Sequence, residues 1–283
     1  MTTTITWTGT VTAKSSIVHG GEKRGFITLL RREMIFDATG QPIMVPLITG
    51  NALRGRLRRI GEELTREVLD YEGKLPLAAA HALRGGGALA KTTGEPLSGA
   101  RLAEIRALVP QISVFGASAG GRTLSGQLQA GRLIPHLAET SHLTGRPGPS
   151  VFEAIQLESY TRVDELATSS FQALTAVDDA NDQGSGADRG PIVWRVETFP
   201  AGMRFASWIR LDHATDLQAA FTADVLDEFC RNGYLGGRSS IGHGQIEADF
   251  DRRDHPRPAV AANWREHLRR HRTEALNALR LLT

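Results

Sequence analysis

Residues 3–12 alternate strictly, with Ile5, Trp7, Gly9 and Val11 on one side and threonines on the other. A period of two predicts a half-buried strand. The stretch SSIVHGGEKRGF that follows is a glycine-rich loop, and Ile27 to Phe36 reads as β. A DATGQP turn, Asp37 to Pro42, leads into a short apolar strand, IMVPLI. There the period changes: Leu53, Leu57, Ile60, Leu64 and Val68 recur at steps of four, three, four and four. That is the stripe of an amphipathic helix, with Asn51 as its expected N-cap. Residues 73–100, rich in Gly, Ala and Pro, read as a helical or loop insertion, and a short helix over about 100–108 stops at Pro110. ISVF (112–115) reads as a strand before a glycine-rich loop and a further strand. FEAIQLESYTRV is again β-like, and the polar run 178–190 is expected to be an exposed loop. PIVWRVETF and MRFASWIRL read as strands parted by a Pro200-Ala201-Gly202 turn. A helix is expected over Asp216–Asn232 with Gly233 as its stop, then a glycine-rich loop and a last strand. From about Asn263 a basic amphipathic helix sets Trp264, Leu268, Leu276, Leu279 and Leu282 against Arg265, Arg269, Arg270 and Arg272. Runs of strands with a few interspersed helices imply an α+β fold with a largely antiparallel sheet.

Composition adds limits. With 41% hydrophobic residues in 283, the chain can bury a sizeable core, which excludes wholesale disorder. The single cysteine, Cys230, excludes an intrachain disulfide and a Cys-rich zinc site. No apolar run approaches the roughly 20 residues of a membrane span, and the first residues, MTTTITWTGTVTA, lack the charge and apolar run of a signal peptide. A cytoplasmic protein with no membrane partner is expected. The net charge of +2 conceals an asymmetry: residues 1–66 carry ten Lys/Arg against five Asp/Glu and residues 251–283 eight against four, while the middle carries fifteen against twenty-two. Of the 33 basic residues 29 are arginine, whose planar fork binds phosphate bidentately. A GC-rich genome would favour the same composition.

Three segments combine glycine with arginine. In LITGNALRGRLRRIGEEL a strand gives way to a helix whose free N–H groups and positive end attract anions. Arg54 and Arg58 share one face of it, and Arg56 and Arg59 lie on others. An ordinary solvated basic face, paired with Glu62 and Glu63, is the alternative. VFGASAGGRTLSG and GYLGGRSSIGHGQ each offer close backbone approach, hydroxyls and one arginine, Arg122 or Arg238, a design that holds phosphates without reading bases. Three such segments favour a long polyanion over a mononucleotide.

The order of motifs resembles the RAMP superfamily and, within it, the backbone subunits of multi-subunit CRISPR effector complexes. The resemblance rests on the first strand with Ile17-Val18-His19-Gly20-Gly21, and on Thr49-Gly50-Asn51-Ala52-Leu53-Arg54-Gly55. It continues through Val114-Phe115-Gly116 with a GRL downstream, FPAGMRF (Phe199 to Phe205) and GGRSSIGHGQ. Size and loop wording are most similar to the type IV backbone subunit. The resemblance implies one RAMP-type domain over 1–283, built as a ferredoxin-like (RRM-like) palm with helical insertions and a β-hairpin thumb at 160–191. Copies of such a subunit line up along a guide RNA, present bases to a target nucleic acid and bind other effector subunits. It further implies RNA contacts at Asn51, Arg54, Arg58, Gly116, Arg122, Arg162, Arg238, Ser239 and Ser240, with no cofactor. Type III relatives cut target RNA with an aspartate before the LRG helix. The comparable place here is Arg31–Arg32, with only Glu33 and Asp37 nearby, and the thumb lacks Asn-x-Ile-Asp, so binding without cutting is expected.

Two other readings have residues of their own. A RAMP-type guide-processing endonuclease would use His19 as a loop acid or base. A serine hydrolase would use Ser118, in a G-x-S-x-G match that should open a helix and is followed instead by GGRTLSGQ. His267 and His271 have chelating spacing but no Glu or Cys to complete a metal site, and none is expected.

Overall fold

The computed structural model describes residues 2–87, 99–119, 122–162, 192–255, 262–280 and 282. Strand β1 (Thr3–Ala13) buries Ile5, Trp7, Val11 and Ala13 and turns its even-numbered threonines outward. Hairpins β2 (Gly20–Arg24)–β3 (Ile27–Leu30) and β4 (Arg32–Phe36)–β5 (Pro42–Pro46) follow. The single β stretch expected over Ile27–Phe36 is thus broken at Arg31, whose backbone turns to His19 and Leu47 instead. Helix α1 (Gly50–Leu69) buries Leu53, Leu57 and Ile60. Its N-cap is Thr49 rather than Asn51: Thr49 is extended and its Oγ1 accepts from Ala52 N at 3.2 Å, which puts Asn51 inside the first turn.

The segment expected as an insertion holds α2 (Leu77–Gly85), followed by α3 (Gly99–Leu108). Next, ISVF is helical, not extended: α4 (Pro110–Phe115) starts on its proline and is buried throughout. A six-residue segment is too short to carry a period, and burial on every side decided the conformation. Short strands β6 (Ala117–Ala119), β7 (Arg122–Leu124), β8 (Leu128–Ala130) and β9 (Ile134–Pro135) lead to α5 (Ser141–Thr144). Strands β10 (Gln156–Arg162) and β11 (Ile192–Thr198) pair antiparallel from Gln156↔Thr198 to Arg162↔Ile192, forming a hairpin root. Most of the expected thumb, 163–191, lies outside the described residues.

Strand β12 (Arg204–Ala214) precedes α6 (Asp216–Asn232), which carries a full capping box between Thr215 and Gln218. Strand β13 (Ile246–His255) is followed by α7 (Trp264–Arg270) and α8 (Arg272–Arg280), so the expected C-terminal helix is broken at His271. The main sheet runs β13-β1-β12-β8 with every neighbour antiparallel. Numbering its strands by chain position gives 4-1-3-2, with α1 between the first two and α6 between the last two: the ferredoxin-like palm. Phe115 and Trp264 both pack edge-on to Phe221 of α6, joining α4 and α7 to one core. A second sheet, β10-β11-β3-β2, joins the hairpin root to the segment after β1.

Candidate nucleic-acid interface

The glycine-rich segments converge on the first half of α1. The β1–β2 loop is tied by bridges Ile17↔Phe199 and Val18↔Gly237 to the end of β11 and to the loop after α6. A Cβ at Gly50 would lie 2.2 Å from Ala130 O, so the helix start sits directly on β8. Around it opens a groove of ≈ 660 Å³, lined by the loop at Val18–Gly20, the α1 stripe from Asn51 to Arg59, Gly85–Gly87 and Tyr234–Gly237.

The two arginines carried over from the resemblance face inward from this helix. Arg58 is 6% exposed and donates to Gly116 O at 2.7 Å, to Phe115 O and, at 3.4 Å, to Ala82 O. Its guanidinium also lies over the Phe115 ring, 5.6 Å from the centroid. Burial, with Arg54 adding like charge, pulls its pKa down to about 10. Arg54 donates to Phe115 O at 2.6 Å and Leu128 O at 3.2 Å, using Nη2 and Nε. Together they satisfy the C-terminal carbonyls of α4, which the chain turns away from at Gly116 (φ +66°). Gly86 N–H caps α2, and a Cβ there would lie 2.5 Å from Arg58 Cζ. All four arginines of this stretch line the groove, and the most exposed is Arg59, which with Arg56 the resemblance did not single out. Asn51, Gly55 and Arg59 form one stripe at four-residue steps. Arg59 is exposed, and Arg56 also lines the groove with its buried Nε unpartnered. That spacing was available in the sequence; the inward turn of Arg58 was not, because its acceptors lie on other segments.

At the groove's other end, Gly236 and Gly237 lead to Arg238 (φ +62°), which lies 5.2 Å over the Tyr160 ring. Ser239 and Ser240 are exposed on a short 3-10 turn. His243, 4% exposed, bonds Ser16 Oγ at 2.9 Å through Nδ1 and the Tyr160 hydroxyl through Nε2. Tyr160 donates to Glu158 at 2.6 Å, and Thr198 donates to the other carboxylate oxygen at 2.8 Å. Burial opposes ionisation of Glu158, but these bonds and one from Ser16 outweigh it and hold the carboxyl below its usual range. Burial and Glu158 push Tyr160 up to about 12. His243 thus fixes the third loop to the hairpin root. Arg122 opens β7 and Arg162 ends β10.

His19 lines the groove, but its Nε2 accepts from Thr49 N at 3.3 Å, and burial, then Arg31, lowers its pKa. Asp37 is a turn residue whose Oδ1 accepts from Thr39 and Gln41. Ser118 follows a helix and sits in a strand, the reverse of a nucleophile elbow. Among the described residues no group of three His, Cys, Asp or Glu could hold a metal ion, and no helix is long and apolar enough to cross a membrane.

Comparison with solved structures aligns the chain with one from a "Type IV-B CRISPR Complex" at 36% identity and TM-score 0.63, covering 90% of this chain and 96% of that one. No curated protein matches it significantly. The RAMP superfamily profile matches residues 2–247. With the 4-1-3-2 palm beneath it, that match, spanning most of the chain, places this protein in the RAMP superfamily.

Proposed function

We propose that the chain is a non-catalytic backbone subunit of a type IV CRISPR effector complex, holding guide RNA in the α1 groove and repeating along it in successive copies. The observation that carries this reading is the convergence of two glycine-rich loops and the helix surface bearing Asn51, Arg56 and Arg59 on one open groove beside the hairpin root, in a chain 36% identical to one of a type IV-B complex. Backbone amides at the glycines, the hydroxyls of Ser239 and Ser240 and the free edge of Arg54 face phosphates. Arg58 acts one layer behind, by fixing the loop at Gly116. Contacts of this kind hold the strand's backbone and leave bases free to pair with a target. Affinity should fall steeply with salt as counterions are released.

The test is size exclusion with absorbance at 260 and 280 nm, before and after ribonuclease, on protein purified at low salt. A large, 260-rich species with RNA of regular protected length is expected. A nucleic-acid-free monomer that ignores added RNA would remove the reading. Because His19 lines the same groove, a repeat RNA incubated without metal provides the second check: cleavage that His19→Ala abolishes would make the chain a processing nuclease.

A further inference from the structure

A second cavity, ≈ 910 Å³ in volume, opens on the face of β1 that carries its outward threonines and shares no residue with the groove. Thr10 and Thr12, from the outward column of β1, line it beside the 200–202 turn and Arg204 at the start of β12. Residues 146–149 form a strap along it. The strap is built tightly: Ala138 N donates to Pro149 O at 2.8 Å, and a Cβ at Gly148 would lie 1.9 Å from His136 O. His136 N donates in turn to Arg204 O at 2.8 Å.

Polar groups are left over in this wall. Arg146 and Arg204 are exposed, and neither guanidinium has an ion pair or hydrogen bond among the described residues. His136 is 9% exposed and its buried Nε2 has no partner. Burial, then Arg146 and Arg204, holds its imidazole below the usual range. Asp249 and Glu247 also line the cavity. Glu247 is paired with Lys14 at 3.1 Å, whereas Asp249 has no ion pair among the described residues.

A simple anion leaves the carboxylate unexplained, and a simple cation leaves two guanidiniums unexplained. A nucleotide satisfies both. Its phosphate suits paired arginine forks, its sugar suits threonine hydroxyls, and a carboxylate accepts from an exocyclic amino group of a base. The volume lies in the range of small-molecule sites. We propose that this cavity binds a nucleotide whose base carries an amino group, with the phosphate at Arg146 and Arg204 and the amino edge at Asp249. The site stands apart from the α1 groove, so its failure would leave the RNA-binding reading untouched.

The test is equilibrium binding of GMP to the full chain after copurified RNA has been stripped, with UMP, inorganic phosphate and a short 5′-phosphorylated oligonucleotide as competitors. GMP should bind, and Arg146→Ala/Arg204→Ala should weaken it at least tenfold. Asp249→Asn should weaken GMP while leaving the weaker UMP unchanged, and Arg59→Ala should leave both unchanged. Competition by the oligonucleotide would assign the site to a strand end, and its failure to compete would assign a free nucleotide; either supports the proposal. No GMP binding, indifference to the arginine pair, or inorganic phosphate competing as well as GMP would overturn it. The arginines are exposed, and Asp249→Asn is an independent variant should the double change disturb the fold.

Discussion

Removing Arg58 tests whether its charge serves the fold or the ligand. In Arg58→Ala, Phe115 O keeps its 2.6 Å bond from Arg54, and Ala82 O keeps one from Gly86 N at 3.0 Å. Gly116 O loses its 2.7 Å donor, and an orphaned buried carbonyl costs about 1–3 kcal/mol. Loss of the stack on Phe115 adds about 0.5–2 kcal/mol, and the space left between α1, α2 and α4 adds to that. Relief from burying a cation, visible in its pKa of about 10, works the other way. The net expectation is a loss of about 2–4 kcal/mol, or roughly 3–7 °C in Tm for a domain of this size. Adding Arg54→Ala strips Phe115 O of both donors, so the double change should cost more than the two single changes added together. Thermal and urea melts of the four proteins measure this directly, with RNA affinity determined well below each midpoint. Arg58→Ala with unchanged melting and sharply weakened RNA binding would refute the structural role and return this arginine to the phosphate wall.

Arg59→Ala should do the opposite: unchanged Tm, weaker RNA binding to every sequence, and a salt slope about one unit shallower in a filter-binding titration. His19, His136 and His267 all titrate below their ordinary range, each chiefly through burial. The unfolded chain therefore binds protons first, and stability should fall as pH drops below about 6.5; urea midpoints from pH 8 to 5 check the sign, and His136→Gln should flatten the slope. Burial, with Asp227 and Asp249, pushes Cys230 up to about 11. Its reaction with a disulfide reagent at pH 8 should accelerate by at least about tenfold in denaturant, because only the thiolate attacks.

The long elements were legible because each carries its own signal. β1 shows ten residues of alternation and α1 a 3.6-residue stripe, while α6 begins with a Thr–Gln capping box and ends at Gly233. There the reason for glycine differs from the expectation: its φ is −73°, and it is needed because a Cβ would lie 2.3 Å from Phe229 O. What was illegible depends on distant partners. ISVF has no period to separate strand from helix, and the N-cap moved from Asn51 to Thr49 because both residue types cap well. Arg58 reads as surface charge until Phe115 and Gly116 arrive beside it. The second cavity had no signature at all, since Thr10, His136, Arg146, Arg204 and Asp249 come from five separate segments.

The position of β1 also governs how the molecule must be made. It is an inner strand of the palm, yet both neighbours, β12 at 204–214 and β13 at 246–255, are synthesised long after it. As the chain emerges from the ribosome, Ile5, Trp7 and Val11 have no palm strand to pair with until β12 is out. The palm therefore closes late, by pairing across most of the sequence, and such non-local closure is slow and exposes unpaired strands. The threonines that alternate with those apolar residues keep the waiting strand polar on one side, which limits its pairing with other nascent chains.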